Sequence, residues 1–115
     1  MADSKLRDLS TDFAVKAIKI CDGIKGHYSL VNQLERSSTS IGANIHEAQH
    51  TQGTKDFISK FEIALKEASE TGYWLELLYR TNYIDEPTFK SLFTKCTALR
   101  VMLIASCKTA KENNK

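Results

Sequence analysis

The chain has 115 residues, a net charge of +2, 42% hydrophobic residues and 26% charged ones, which suits one globular domain spanning residues 1–115. No apolar run reaches the ~20 residues needed to cross a bilayer, and the opening MADSKLRDLSTD alternates in charge without the apolar centre of a secretory leader. Cys21, Cys96 and Cys107 are odd in number, lack C-x-x-C spacing and fall within helical apolar patterns, so reduced packing residues in a cytoplasmic protein are expected.

A first helix is expected over 5–25, where Leu6, Leu9, Phe13, Ala17, Ile20 and Ile24 recur at steps of three and four. Asp22, Gly23, Lys25 and Gly26 supply its stop. A second helix is expected over 28–50, with Leu30, Leu34, Ile41, Ile45 and Ala48 on one face and Thr51-Gln52-Gly53-Thr54 as the break. Beside that stripe runs a polar row, Ser40, Asn44 and Glu47 at i, i+4 and i+7, next to the small residues Ser37 and Ser38. Such a row reads first as helix-packing glue, with a ligand site as the alternative: small residues admit a neighbouring helix, a buried Asn can bond across helices and fix register, and Glu47 can cap or pair with a basic group.

The same helix ends in His46-Glu47-Ala48-Gln49-His50, an H-E-x-x-H string. In a zinc hydrolase the two histidines share a helix face and the Glu polarises a metal-bound water. Here that face lies roughly 120–180° from the apolar stripe. It would point outward, with no cleft and no edge strand for a substrate. A zinc hydrolase is therefore the remotest reading, no metal site is expected, and His46 and His50 remain only adventitious chelators. No glycine-rich phosphate loop, nucleophile–base set or di-iron Glu-x-x-His pair is visible, so no catalytic residue and no cofactor is expected.

A third helix is expected over 55–81, with Phe57, Phe61, Ala64, Ala68, Leu75 and Tyr79 inward. After the turn at 81–84, Asp85 is a good N-cap and Pro87 suits the first turn of a fourth helix over 86–111. That helix carries Phe89, Leu92, Cys96, Leu99, Leu103 and Cys107 inward. Four such stripes joined by short links predict an all-α fold, an antiparallel up-down four-helix bundle.

The third and fourth helices carry more apolar surface than one bundle needs. Ile63, Trp74, Leu77 and Leu78, and Val101 and Ile104, lie off the main stripes. They are the expected interface of a homo-oligomer. Charge is uneven as well: residues 86–115 hold six basic and two acidic side chains. Lys90, Arg100, Lys108, Lys111 and Lys115 fall within about 80° on an ideal helix. This stripe is the candidate phosphate-binding face, against the plainer reading of lysines drawn to a helix C-terminus.

Arg36-Ser37-Ser38-Thr39-Ser40-Ile41-Gly42-Ala43-Asn44-Ile45-His46-Glu47-Ala48 and the segment Lys55 to Leu78, KDFISKFEIALKEASETGYWLELL, resemble the small bacterial bundle proteins encoded in 23S ribosomal RNA intervening sequences. That family is akin to the accessory variability proteins of diversity-generating retroelements. The resemblance spans essentially the whole chain. One departure is Ala48, where many relatives end the hallmark in Glu-Gly, and it predicts a slightly longer second helix or a changed exit angle. The resemblance implies bundles assembled into five-membered rings with a central channel. For the retroelement members it implies nucleic-acid binding beside a reverse transcriptase.

The leading expectation is a non-enzymatic, ring-shaped homopentamer that binds RNA or DNA through the basic fourth helix, alongside a reverse transcriptase or another nucleic-acid enzyme. The alternative is a purely structural or protein-binding oligomer.

Overall fold

The computed structural model describes residues 2–113, with side chains from residue 5 to 113. Four helices follow in order: α1 (Ala2–Gly23), α2 (Tyr28–Ala48), α3 (Thr54–Arg80) and α4 (Glu86–Asn113). No strand occurs among the described residues. The four pack as an all-α bundle of 47 × 20 × 19 Å. Each helix meets its chain neighbours, and α1 also meets α4 along the loosest of the four seams. Partners run in opposite order along α2 and α3: Ser37 meets Thr71, while Glu47 meets Lys60. The same holds for α3 and α4, where Tyr79 meets Glu86 and Glu62 meets Lys111.

The core follows the apolar stripes. Phe13, Leu34, Ile41, Ile45, Phe61, Leu75, Leu92, Leu99 and Leu103 are fully buried or nearly so. Leu30 and Phe57 are only partly buried but pack against the core, and their neighbours Val31 and Ile58 are buried as well. Leu9 is exposed, and the core row of α1 passes instead through Ser10.

Ser10 marks the close approach of α1 to α2. A Cβ built on Gly42 would lie 3.4 Å from Ser10 Oγ and 3.6 Å from Ser10 O. A methyl group fits there, and anything larger pushes the helices apart.

The termini are fixed by local chemistry. His27 precedes α2 in the left-handed region, φ 44°, and its carbonyl accepts from Leu30 N and Val31 N. At the end of α3, Asn82 is left-handed at φ 66°. Asn82 N donates to Tyr79 O at 3.0 Å and Tyr83 N to Leu78 O at 2.9 Å, the paired bonds of a Schellman cap with Asn in the place glycine usually takes. Asp85 caps α4 as expected, its Oδ1 accepting from Thr88 N at 2.9 Å. Hydrogen bonding from the Thr88 side chain, and then from its N–H, lowers the Asp85 carboxyl pKa. The second helix stops at Ala48, two residues before the expected end and without the extension that Ala48 suggested.

Candidate assembly and nucleic-acid surfaces

The polar row of α2 does its work differently from the expectation. Ser40 Oγ donates to Arg36 O at 2.7 Å and Asn44 Nδ2 to Ser40 O at 2.8 Å, so Asn44 bonds back to its own helix and not across it. Glu47 does reach a base, lying 3.6 Å from Lys60 Nζ on α3. The buried cross-helix polar contact is one turn earlier: Ser37 and Thr71 hydroxyls meet at 2.8 Å, both fully buried. Just outside, Arg36 on α2 bridges Glu67 and Glu70 on α3 at 3.3 and 3.6 Å.

The H-E-x-x-H string straddles the end of α2. Past Ala48 the backbone tightens into i→i−3 bonds, Gln49 N to His46 O and His50 N to Glu47 O, so His50 lies beyond the last α-helical turn. His46 Nε2 lies 3.2 Å from Thr11 Oγ1 on α1, and Glu47 turns toward Lys60. Among the described residues no three His, Cys, Asp or Glu side chains gather as a metal-binding group. The cysteines are buried. Burial pushes the Cys21 and Cys96 thiols up to about 11, leaving poor nucleophiles and metal ligands.

The basic stripe of α4 is not a continuous cationic face. Lys90 Nζ is 3.1 Å from Glu86 Oε1, in the same helix. Lys111 Nζ is 2.9 Å from Glu62 Oε2 on α3, a hydrogen bond that raises the lysine pKa. Arg100 is only partly exposed, and its Nε is buried without a partner among the described residues. Lys108 is exposed and makes no ion pair among the described residues. Lys115 lies outside the described residues.

The apolar interface set also divides. Leu78 is wholly buried in the bundle core, on the inner arc of α3 beside Leu75, and is removed from the candidate interface. Ile63 is 40% exposed. It falls, with Trp74, in the row of Lys60, Glu67 and Glu70 that meets α2. Trp74 and Leu77 are half-buried, and the Trp74 indole N–H is buried without a partner among the described residues. Val101 and Ile104, 61% and 50% exposed, stand on a different side of the molecule, outward on α4. Ile104 borders a groove of 410 Å³ between α3 and α4, floored by Leu65 and Cys107 and rimmed by Glu62, Lys108, Lys111 and Glu112.

A further apolar strip escaped the sequence reading. Val15 and Ile18 on α1 are 47% and 38% exposed. The angular test applied to α3 and α4 would have found them, since both lie more than about 100° from the Phe13–Ala17 stripe.

No helix among the described residues is long and apolar enough to cross a membrane. No curated protein is significantly similar to the chain. A crystal structure of a protein of unknown function from the S23 ribosomal protein family of Bacteroides thetaiotaomicron VPI-5482 superposes with a TM-score of 0.90 at 42% identity, covering 94% of this chain and 99% of that one. Residues 2–105 match the family described as 23S rRNA-intervening sequence protein. With this match along nearly the whole chain of a four-helix fold, the protein belongs to the 23S rRNA-intervening sequence protein family.

Proposed function

We propose that the chain is a non-catalytic subunit of a ring-shaped homo-oligomer, an antiparallel up-down bundle whose role is to present an assembled surface to partners. The observation that carries this reading is the outward pair Val101 and Ile104 on α4, more exposed than large aliphatic side chains ordinarily are. Full burial of each would contribute about 1.5–3 kcal/mol. Ile63, with half-buried Trp74 and Leu77, adds a second apolar area on another side. Two unlike areas suit head-to-tail contacts, which close into rings, better than a single two-fold contact. A five-subunit ring and kinship with the retroelement accessory proteins are the expectations the family resemblance adds. Replacing Val101 and Ile104 together with Asp tests the reading: the variant should keep its helical circular dichroism and sediment as a monomer. Unchanged assembly would remove α4 from the interface.

Nucleic-acid binding is the second reading, favoured by Lys108, exposed and without an ion pair among the described residues. Lys90 and Lys111 are each held by one surface carboxylate. Exposed pairs of this kind contribute about 0–1 kcal/mol, so phosphates can compete for both lysines, and a ring multiplies the effect. RNA or DNA would then be held by its backbone, and a reverse transcriptase or similar enzyme would be the natural neighbour. Binding should weaken steeply with salt and be lost on reversing Arg100, Lys108 and Lys111 to Glu. Weak binding that survives the reversal would leave a purely structural oligomer.

A further inference from the structure

The outward faces of α1 and α4 carry matching patterns. On α1, Asp8, Thr11, Val15, Ile18 and Asp22 follow at steps of three, four, three and four. On α4, Thr94, Thr97, Val101, Ile104 and Lys108 repeat those steps, with Lys90 one turn before. All of these side chains are exposed. A three-four alternation keeps residues on one narrow seam of a helix, the spacing by which one helix packs along another. Among the described residues the seams' polar contacts within the subunit are few: Thr11 with His46 across to α2, and, along their own helices, Thr11 with Arg7 O, Asp8 with Arg7 and Lys90 with Glu86. Both seams centre on a Val–Ile pair, and they differ in charge: two aspartates frame the α1 pair, and two lysines frame the α4 pair.

We infer that α1 of one copy docks in parallel register along α4 of the next, with Val15 on Val101 and Ile18 on Ile104. This register sets Asp22 against Lys108 and Asp8 within one turn of Lys90. An antiparallel register that joins Asp8 to Lys108 would place Ile18 near Thr97 and Ile104 near Thr11, leaving each isoleucine against a polar residue. The groove beside Ile104, 410 Å³ in volume, gives the incoming ridge of α1 a concave seat on the α3 side. Glu112 on the groove rim, Glu86, which pairs with Lys90 at 3.1 Å, and Arg7, 4.0 Å from Asp8, are the like-charge neighbours this contact must tolerate. The inference rests on self-association through α4 and names what sits there: the outer face of a second copy's α1. Because the two seams belong to different helices, each subunit offers one and receives one. The contact is head-to-tail.

The test uses the full untagged chain in native mass spectrometry and sedimentation, with circular dichroism confirming the fold of each variant. Asp8→Lys with Asp22→Lys, and separately Lys90→Glu with Lys108→Glu, should each weaken assembly at low salt. All four substitutions in one chain should restore it. Val15→Asp with Ile18→Asp should weaken association by roughly a hundredfold or more, the loss expected when two β-branched side chains are withdrawn from burial. A wild-type oligomer indifferent to all the α1 variants would overturn the α1–α4 contact while leaving assembly itself intact. A monomeric wild type would sink both readings.

Discussion

Ser37 and Thr71 share one buried contact, yet each hydroxyl has a second acceptor on its own helix. Ser37 Oγ lies 3.3 Å from Leu34 O, and Thr71 Oγ1 is 2.8 Å from Glu67 O. A hydroxyl carries a single proton, so the pair is a relay in which either member stays satisfied when the other is removed. Ser37→Ala and Thr71→Val should therefore cost only about 1 kcal/mol each in urea unfolding, and the double variant less than their sum. A cost of several kcal/mol for either single change would mean the relay is wrong. At Gly42, alanine should fall within about 1 kcal/mol of wild type, its methyl meeting Ser10 at ordinary distance while helix propensity improves. Leucine there should cost about 1–3 kcal/mol. The buried thiols make a pH prediction. Cys21 and Cys96 titrate higher folded than unfolded, so their contribution is intact below the unfolded thiol range and disappears as pH climbs toward about 11. Denaturation midpoints should fall over that window, and both thiols should resist maleimide at pH 7 until the chain unfolds. Cysteine burial was legible from position in the stripes. The Ser37–Thr71 relay was not, because a serine and a threonine 34 residues apart announce no partnership until the helices are laid together.

At the scale of elements, helix existence was legible throughout and the ends nearly so. Asp85 announced α4 because an aspartate three residues before a threonine N–H is a cap by chemistry alone. The end of α2 was misjudged because its residues 49 and 50 carry no breaker; the tightened turn shows only in the bonds of Gln49 and His50. Equimolar zinc should leave the melting temperature unchanged, and His46→Ala should behave like wild type in the same titration. The cap of α3 offers a sharper test. Asn82 occupies a left-handed position that costs a residue with a branched Cβ about 1–2 kcal/mol. Asn82→Val should lower the melting temperature, and Asn82→Gly should hold or raise it. The reverse order would mean that the Schellman geometry is wrong.

For the whole molecule, sequence periodicity was enough for the bundle, because four stripes of apolar residues have few other ways to be buried. It was not enough for the outer surface. Leu78 and Ile63 were both expected off the main stripe of α3, yet Leu78 is fully buried on its inner arc and Ile63 is open. Lys90 and Lys111 read as free charges until Glu86 and Glu62 were placed beside them. The outer surface is thus less cationic than the unpaired sequence suggests, and the reading stands or falls on self-association. The mass of the untagged protein under native conditions, with one equivalent of zinc present, decides it. The expected result is a single metal-free multi-subunit species, five subunits by family resemblance. A monomer across the micromolar range, above all one holding a zinc ion tightly, would contradict it.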